Sequence, residues 1–278
     1  MTLRLDIVCE NTVGRPIPAL GEHGFACLVK TPSGIWLFDT GSGETLLANL
    51  EALQLDAHQI DGVILSHGHY DHCGGLLPLL RKIGPRPVYA HPHIFRERFW
   101  QGQHEERPIG MQYSRDELEA AGADFHFCDK FTELSQGLFL SGAIPRLASF
   151  EVGDPHLVRH AGSEDSWTAD ELQDDSALAM ETSKGLVVLL GCAHAGLANT
   201  LEYFLHKRQN PRIHAIIGGT HLGPANDDQF FATVDYLAEL NPDRLGLSHC
   251  TGQARSAQLY ARFPNKVFFA NVGTTVKV

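Results

Sequence analysis

Short apolar runs that end abruptly, each followed by a helix-like pattern, organise most of this sequence. The runs 34–38 and 63–65 lie in the first hundred residues, and the same alternation returns after residue 175. There the apolar runs are 186–190, 214–217 and 245–247, and helical patterns follow at 196–208, 227–240 and 253–262. Near-continuous apolar strands that alternate with helices are typical of sheets covered on both faces. The sequence therefore predicts a layered α/β fold.

The stretch between these two alternating regions, residues 101–175, is less regular and rich in Gly, Asp, Glu and His. Within it, Ser114 and Glu117 fit a capping box at the start of a short helix. A chain of 278 residues that is 43% hydrophobic can bury the core of one large layered domain. We predict a single domain over 1–278, built from two similar halves with an irregular insertion at about 101–175.

The charge balance limits the partners of this protein. The 22 Lys and Arg residues against 33 Asp and Glu residues give a net charge of −11. Such a surplus of negative charge cannot neutralise phosphate at long range, so it argues against a general nucleic-acid or membrane-surface binder. We expect a small-molecule partner, with neither nucleic acid nor membrane, and the sequence leaves the oligomeric state open.

The cysteines and the apolar runs indicate a cytoplasmic protein. The six cysteines are scattered with no C-x-x-C pair, and reduced thiols are expected. The N-terminus lacks the apolar run of a signal peptide, and no stretch reaches the roughly 20 apolar residues of a membrane span.

The densest group of chemically active residues follows the apolar run 63–65. His67, His69, Asp71 and His72 stand within six positions, and a helix is predicted from Asp71 to about Leu80. Neutral imidazoles and a carboxylate are ligands for Zn²⁺, Mn²⁺ or Fe. His67 and His69 alternate in an extended turn and can reach one ion, whereas Asp71 and His72 can face a second. The alternative is a solvent-exposed polar loop that happens to be rich in histidine.

Three further histidines stand at the ends of later strand-like runs, namely His194, His221 and His249. Ligands of open α/β sheets bind beyond the carboxyl ends of the strands. We therefore predict His194 and His249 as metal ligands. For His221 the alternatives are a ligand, a residue that orients a ligand, and a proton-transfer residue.

The pattern His67-x-His69-x-Asp71-His72 with the following glycines resembles the signature of the metallo-β-lactamase superfamily, and so does Asp39-Thr40-Gly41 upstream of it. Weaker glycine-rich motifs are similar to the branch of 7,8-dihydropterin-6-methyl-4-(β-D-ribofuranosyl)aminobenzene-5′-phosphate synthase-like proteins. These motifs lie at 65–76, 142–146, 185–200, 218–222 and 249–252, so the resemblance covers nearly the whole chain. It implies an αββα sandwich with a two-metal site between its sheets.

Carried over by position, the resemblance assigns His67, His69 and a later histidine to one metal, and Asp71, His72 and His249 to the other. The chain departs from the superfamily pattern where a strand ending in Gly-Asp usually supplies a bridging carboxylate, because Gly191-Cys192 offers a thiol there.

The third-motif histidine of the superfamily is also missing, since residues 142–146 contain none. The Gly-Cys-Ala-His of this branch suggests that His194 supplies the missing nitrogen. Cys192 is either a ligand or a small buried apolar residue, and we favour the second.

We predict a metal-dependent hydrolase with a dinuclear site, carrying two divalent ions, most simply Zn, with Mn or Fe as alternatives. A metal at an open site makes hydroxide available at neutral pH. The locally cationic centre favours an anionic substrate, such as a phosphate, ester or pyrophosphate. Asp71 is expected to orient the water, His221 to protonate the leaving group and Arg146 to bind the anion.

Two alternatives remain open. The name of the branch implies a transferase that joins a dihydropterin pyrophosphate to a ribosylated aminobenzene phosphate. A metal-bearing sensor that binds its ligand without turnover is the non-enzymatic alternative. The aromatic residues that could stack a pterin are Phe95, Trp100, Tyr113 and Trp167.

Overall fold

The computed structural model describes residues 3–162 and 166–278, and two large sheets form its centre. The first half of the chain contains β1 (Arg4–Cys9), β2 (Ala26–Thr31), β3 (Gly34–Phe38), α1 (Leu46–Ala52), β4 (Gly62–Ile64), α2 (Tyr70–Cys73), α3 (Leu76–Ile83) and β5 (Arg86–Ala90).

The middle of the chain adds short elements: β6 (Phe99–Gln101), β7 (Glu106–Pro108), α4 (Arg115–Ala120), β8 (Ala123–Phe127), β9 (Thr132–Ser135), β10 (Leu138–Leu140), β11 (Leu157–His160) and β12 (Trp167–Ala169). The last part contains β13 (Ala177–Thr182), β14 (Gly185–Leu190), α5 (Leu197–Lys207), β15 (Ile213–Gly219), α6 (Asp227–Leu240), β16 (Arg244–Ser248), α7 (Gln253–Arg262), β17 (Val267–Phe269) and β18 (Thr275–Lys277).

Each large sheet has seven strands, drawn mainly from one half of the chain. The first has the order β18-β1-β2-β3-β4-β5-β8, and the second has the order β17-β16-β15-β14-β13-β10-β9. Strands β14, β15 and β16 pair in parallel, so their carboxyl ends meet at one edge of the second sheet. A small third sheet has the order β12-β11-β6-β7.

Alternate residues of the central strands face different layers, which explains the near-continuous apolar runs. In β14, Val187 and Leu189 pack between the sheets with Phe38 of β3, whereas Val188 and Leu190 face the helices. Helices α5 and α6 cover the second sheet, and α1 and α3 cover the first. The layers follow the predicted αββα sandwich, which is confirmed.

Most of the predicted helices and strands are present, and Ser114 and Glu117 form the predicted capping box of α4. The helix predicted from Asp71 to about Leu80 is instead two helices, α2 and α3. A Cβ atom at Gly75, between them, would lie 2.2 Å from the carbonyl oxygen of Thr40. The close approach of the 40–42 backbone therefore divides the helix at this point.

The stretch 101–175 is more regular than the sequence suggested. Strand β8 is the edge of the first sheet, and β9 and β10 belong to the second. Only β7, β11 and β12 join β6 in the separate third sheet. The short strands have too few residues for a clear alternating pattern, so sequence periodicity did not reveal them. The prediction of one domain over 1–278 stays a prediction.

Among the described residues, no helix combines the length and the hydropathy that crossing a bilayer requires.

Candidate metal centre

Four strand ends bring the predicted ligand residues to one place between the two large sheets. His67 and His69 lie in the loop after β4 of the first sheet. His194, His221 and His249 follow β14, β15 and β16 of the second sheet. Because these last three strands pair in parallel, the loops that follow them lie side by side. This is the edge at which open α/β sheets bind their ligands.

His67, His69 and His194 form what we call the first ligand set. The Nε2 atom of His67 lies 3.0 Å from Nδ1 of His69. The ring centre of His194 is 4.8 Å from that of His67 and 4.9 Å from that of His69. All three side chains are buried, so their ring nitrogens face one another rather than solvent.

Asp71, His72 and His249 form the second ligand set. Oδ2 of Asp71 lies 3.2 Å from Nε2 of His249 and 3.8 Å from Nε2 of His72. The two Nε2 atoms are 3.3 Å apart. A tetrahedral Zn²⁺ with bonds of about 2.0–2.1 Å holds neighbouring ligand atoms about 3.3 Å apart. The three separations therefore fit the ligand shell of one metal ion.

Asp39 fixes the orientation of two ligands. Its Oδ2 accepts hydrogen bonds from the Ser66 hydroxyl and from Nδ1–H of His72, both at 2.7 Å. The only hydroxyl hydrogen of Ser66 goes to Asp39, so in the 2.8 Å contact between Ser66 Oγ and Nδ1 of His67 the imidazole is the donor. Nδ1 is thus the hydrogen-bond donor in both rings, which leaves the Nε2 atoms of His67 and His72 as the positions that can bind a metal ion.

An amide performs the same task for His249. Nδ1–H of His249 donates to Oδ1 of Asn11 at 2.9 Å, and Gly24 N–H donates to the same oxygen at 3.4 Å, which sets the orientation of the amide. The backbone N–H of His249 donates to Glu10 Oε1 at 2.7 Å. Nε2 of His249 is therefore also left with a lone pair towards the second ligand set.

Burial keeps the first ligand set uncharged. It lowers the pKa of His67, His69 and His194 well below the usual range, so all three are neutral at pH 7. Nε2 of His194 is buried and has no hydrogen-bond partner among the described residues. An unpartnered buried nitrogen is costly, and a metal ion beside it would satisfy it. The donor set fits a divalent metal on these observations.

His72 has the opposite electrostatics because two carboxylates face it. Burial lowers its pKa, but Asp39 and Asp71 outweigh burial and raise the pKa to about 9 in the absence of metal. Two carboxylates beside one imidazole thus form a local excess of negative charge, which a bound cation would offset.

Cys192 lies between the two ligand sets. Its Sγ atom is 3.1 Å from Nε2 of His72. The sulfur lies within 4.8 Å of ligand atoms of His67 and His194, and equally of those of His72 and His249. From the sequence we favoured the interpretation that Cys192 is a small buried apolar residue and not a ligand. It is buried, but the structure places its thiol among ring nitrogens, where it could be a shared ligand.

Gly191 allows Cys192 to reach this position. A Cβ atom at Gly191 would lie 2.2 Å from Ser66 Oγ and 3.1 Å from Asp39 Oδ2. Any side chain at this position would therefore displace the groups that orient His67 and His72.

His221 borders the first ligand set and is held by a carboxylate. Its Nε2–H donates to Oδ2 of Asp154 at 3.4 Å, and its ring centre is 4.2 Å from that of His194. Burial lowers the pKa of His221, but the hydrogen bonds to Asp154 and Cys250 outweigh burial and raise it to about 10. A protonated imidazole at this position can donate a proton to a departing group.

A buried ion pair supports the loop that carries the first two histidines. Arg98 is only 2% exposed, and its Nη2 lies 2.7 Å from Oδ1 of Asp174. The other carboxylate oxygen of Asp174 accepts a hydrogen bond from the N–H of Gly68 at 2.9 Å. Gly68 separates His67 from His69, so this pair fixes the turn that brings both rings to one point.

The guanidinium of Arg146, predicted to bind the anion, is held by two backbone carbonyl groups. Its Nη1–H donates to the carbonyl oxygen of His194 at 2.7 Å, and its Nη2–H donates to that of Glu171. Arg146 is not among the residues that line the cavity over the metal centre. The predicted substrate-binding role of Arg146 stays a prediction, because spacing places a residue near a strand end without fixing the direction of a long side chain.

A cavity of about 260 Å³ opens over the two ligand sets. Five of its lining residues belong to the ligand sets or lie between them, and we call these the floor: His69, Asp71, Cys192, His194 and His249. The remaining lining residues, which we call the sides, are His23, Tyr70, Trp100, Arg107, Ile109, Asp154, Leu157, His221, Pro224 and Cys250. One side consists of the third-sheet residues Trp100, Arg107 and Leu157, of which the last two belong to the stretch 101–175.

Of the four aromatic residues considered for stacking, only Trp100 lines this cavity. Phe95 and Tyr113 pack against the core beside the first sheet, and Trp167 packs against Phe99.

Sequence reasoning missed several residues around the site. His23 is exposed, yet its Nε2 lies 3.2 Å from Oδ2 of Asp71. Asn11, Asp154 and Arg107 belong to no motif, and each lies far along the chain from the residue it contacts or the cavity it lines. No spacing signal could have identified them.

Comparison with known proteins identifies the family of this chain. The family model described as the metallo-beta-lactamase superfamily matches residues 21–249. The 7,8-dihydropterin-6-methyl-4-(beta-D-ribofuranosyl)-aminobenzene-5′-phosphate synthase of Methanocaldococcus jannaschii is 29% identical over 260 residues, which is 90% of this chain and 88% of that protein.

Solved structures show the same fold. A metal-dependent hydrolase of the beta-lactamase superfamily matches with a TM-score of 0.84 at 27% identity, covering 99% of both chains. The metallo-beta-lactamase fold protein YhfI from Bacillus subtilis matches with a TM-score of 0.59 at 14% identity over the whole of both chains. The match of the family model over most of the chain, together with the fold, shows that this protein belongs to the metallo-beta-lactamase superfamily.

Proposed function

We propose that this protein is a metal-dependent hydrolase that binds two divalent cations, most simply Zn²⁺, and cleaves a phosphorylated or ester small molecule. The observation that carries the proposal is the pair of ligand sets on the cavity floor. His67, His69 and His194 would hold one cation, and Asp71, His72 and His249 the other. Cys192 would contact both.

The cations would supply the chemistry that the side chains lack, since a bound cation lowers the pKa of water from about 16 to about 7 and polarises a phosphoryl or acyl oxygen. Asp71 would orient the attacking water, because its Oδ2 is aimed into the second ligand set. His221 would give a proton to the leaving group and is kept protonated by Asp154. Burial of the floor would strengthen the electrostatic attraction between the cations and the substrate oxygens.

The charge of the site favours an anionic substrate. Two divalent cations carry four positive charges, and Asp71 with a Cys192 thiolate would offset two of them. The cavity therefore remains cationic on its floor, although the whole protein has a net charge of −11. A phosphate ester or pyrophosphate presents oxygens that such a floor can bind and polarise.

A transferase of the pterin synthase type is the second candidate, and the similarity to the Methanocaldococcus jannaschii synthase over 90% of this chain favours it. In that reaction the same floor would stabilise a departing pyrophosphate, and an arylamine would replace water as the nucleophile. Both candidates use the same ligands, so they differ in the substrates that the cavity admits.

Metal content and turnover test the proposal together. Protein purified without chelators should contain two metal equivalents by mass spectrometry and should hydrolyse bis(4-nitrophenyl) phosphate. We expect His67→Ala and Asp71→Ala to lose metal and turnover together, because each removes a ligand atom. His58→Ala, at an exposed histidine in the turn 57–59, is the matched control and should keep both. Full activity in either ligand variant would refute the proposal.

A second assay separates the two candidates. The metal-loaded protein is incubated with a dihydropterin pyrophosphate and a ribosylated aminobenzene phosphate. Release of a joined pterin product with pyrophosphate, in the absence of phosphodiester hydrolysis, would favour the transferase. Tight binding without any product would indicate the non-catalytic sensor.

A further inference from the structure

One face of the third sheet forms a wall of the cavity, and the register of its strands shows which residues share that face. Trp100 of β6 pairs directly with Arg107 of β7 on one side and with Leu157 of β11 on the other. Directly paired residues of neighbouring strands project to the same face of a sheet. All three line the cavity, so the row Arg107–Trp100–Leu157 faces the metal centre.

Arg107 is the only lysine or arginine among the residues that line this cavity. Its guanidinium carbon lies 4.8 Å from the centre of the Trp100 ring, a cation–π contact that orients the group. Within the described ranges, the arginines that form ion pairs are Arg4, Arg98, Arg115, Arg208, Arg212 and Arg255. Arg107 is thus an exposed cation held against Trp100, and it forms no ion pair with a carboxylate of the described residues.

The other charged residues of the cavity are already engaged. Asp154 accepts a hydrogen bond from His221, and Asp71 belongs to the second ligand set. His23 contacts Asp71 at 3.2 Å. Arg107, by contrast, belongs to the wall that the third sheet forms, and not to either ligand set.

We propose that Arg107, held over Trp100, forms a subsite for a second anionic group of the substrate, a phosphate or carboxylate remote from the bond that is cleaved. A guanidinium offers a planar fork of donors that matches the oxygens of either group. The cavity of about 260 Å³ limits the molecule between the floor and this subsite to a small one. The subsite rests on the proposed function, because it assumes that the reacting group lies on the metal floor.

A matched pair of substrates tests the subsite on the metal-loaded protein. Both are alkyl 4-nitrophenyl phosphate diesters with the same alkyl chain, which ends in a phosphate in one and in a hydroxyl in the other. Arg107→Gln should raise KM for the phosphate-ended diester about tenfold or more, with kcat little changed, because it removes one charge-assisted contact. KM for the hydroxyl-ended diester should not change, and its unchanged turnover also shows that the variant is folded.

Two further variants sharpen the test. Arg107→Lys keeps the charge without the fork and should recover part of the lost affinity. Arg115→Gln is the matched control, since that exposed guanidinium also lies over an aromatic ring, Phe127 at 5.2 Å, but does not line the cavity. A carboxylate-ended diester shows whether the subsite distinguishes the two anions. Equal effects of Arg107→Gln on the phosphate-ended and hydroxyl-ended diesters would overturn the proposal.

A binding measurement tests the subsite even if the proposed hydrolase activity is absent. If the wild-type protein cleaves neither diester, their dissociation constants for the metal-loaded protein are compared by calorimetry. The subsite predicts that the phosphate-ended diester binds about tenfold more tightly than the hydroxyl-ended one, and that Arg107→Gln removes this preference. The same ratio in wild type and variant would refute the subsite, whatever the reaction.

Discussion

The two halves of the chain contribute to the metal centre in different ways. The first half supplies His67, His69, Asp71 and His72 from one loop and the helix turn after it. The second half supplies its three histidines singly, each after a separate strand of one sheet, and Cys192 follows the same strand as His194. The first group is close in sequence and needs only a tight loop, whereas the second depends on the correct pairing of three parallel strands.

The backbone at the second-half residues is strained. His221 and His249 have φ angles of 51° and 49°, and Ala193, beside His194, has 56°. A residue other than glycine in the left-handed region costs about 1–3 kcal/mol and persists only where its surroundings enforce it. None of the four residues from the first half has a positive φ. The second-half loops that carry these histidines are therefore held by packing against local preference, whereas the four contiguous residues of the first half are not.

Removal of Cys192 should have the largest effect, because its thiol contacts both ligand sets. We expect Cys192→Ala to lower the affinity for metal at least about a hundredfold, since the loss of a residue that only supports a ligand already costs about 10–100-fold. Metal titration followed by mass spectrometry measures the affinity and the number of equivalents. Cys128→Ala, at a half-buried thiol outside the ligand sets, is the control.

The variant Cys192→Asp sharpens the same comparison. A carboxylate at this position restores the residue type that the superfamily pattern leads one to expect there, so two metal equivalents should be retained. If Cys192→Ala also keeps two equivalents with unchanged affinity, the sulfur is not a ligand, and the second half contributes only its histidines.

Asp39→Asn should have an intermediate effect. Asp39 is fully buried and accepts hydrogen bonds from Ser66 N–H, from the Ser66 hydroxyl and from Nδ1–H of His72. An amide turns one acceptor into a donor, so we expect a loss of about 2 kcal/mol in the free energy of unfolding of the metal-free protein. Metal affinity should also fall about 10–100-fold.

Chemical denaturation and metal titration check both effects of Asp39→Asn. Asp61→Asn is the control, because that exposed carboxylate accepts one hydrogen bond, from Ile35 N–H at 2.8 Å, away from the centre. It should cost less than about 1 kcal/mol and leave the metal affinity unchanged. Equal losses in the two variants would show that Asp39 has no special part in orienting His72.

Asn11→Ala should have the smallest effect of the three. Its neutral amide orients His249, whereas a carboxylate orients His72, and hydrogen bonds to charged groups are about twice as strong as neutral ones. We expect metal affinity to fall about tenfold, the lower end of the range for such supporting residues. If Asn11→Ala loses more metal affinity than Asp39→Asn, the orientation of His249 from the second half matters more than the orientation of His72 from the first half, and this prediction is wrong.

Much of the fold was predictable because it depends on local chemistry. Buried strands such as β14 are apolar on both faces, and the capping box at Ser114 satisfies the first helix N–H groups by itself. The cluster from His67 to His72 was predictable for the same reason, since its residues are neighbours in sequence. The helix division at Gly75 was not, because it results from contact with Thr40, 35 residues earlier.

The supporting residues of the centre were beyond prediction for a related reason. Asp154 contacts His221 across 67 positions, and Asn11 contacts His249 across 238. The direction of Arg146 away from the cavity, and of Arg107 towards it, depends on which partners each long side chain finds. Such contacts leave no periodic trace in the sequence.

The sequence by itself determined the layered architecture and the residue types of the candidate metal centre, because apolar periodicity and a contiguous histidine motif are local properties. The tertiary structure decided the position of Cys192 between the ligand sets, the tautomers that Asp39 and Asn11 impose, and the wall that carries Arg107. These features arise where segments distant in the chain meet, and only the packing of the sheets brings those segments together.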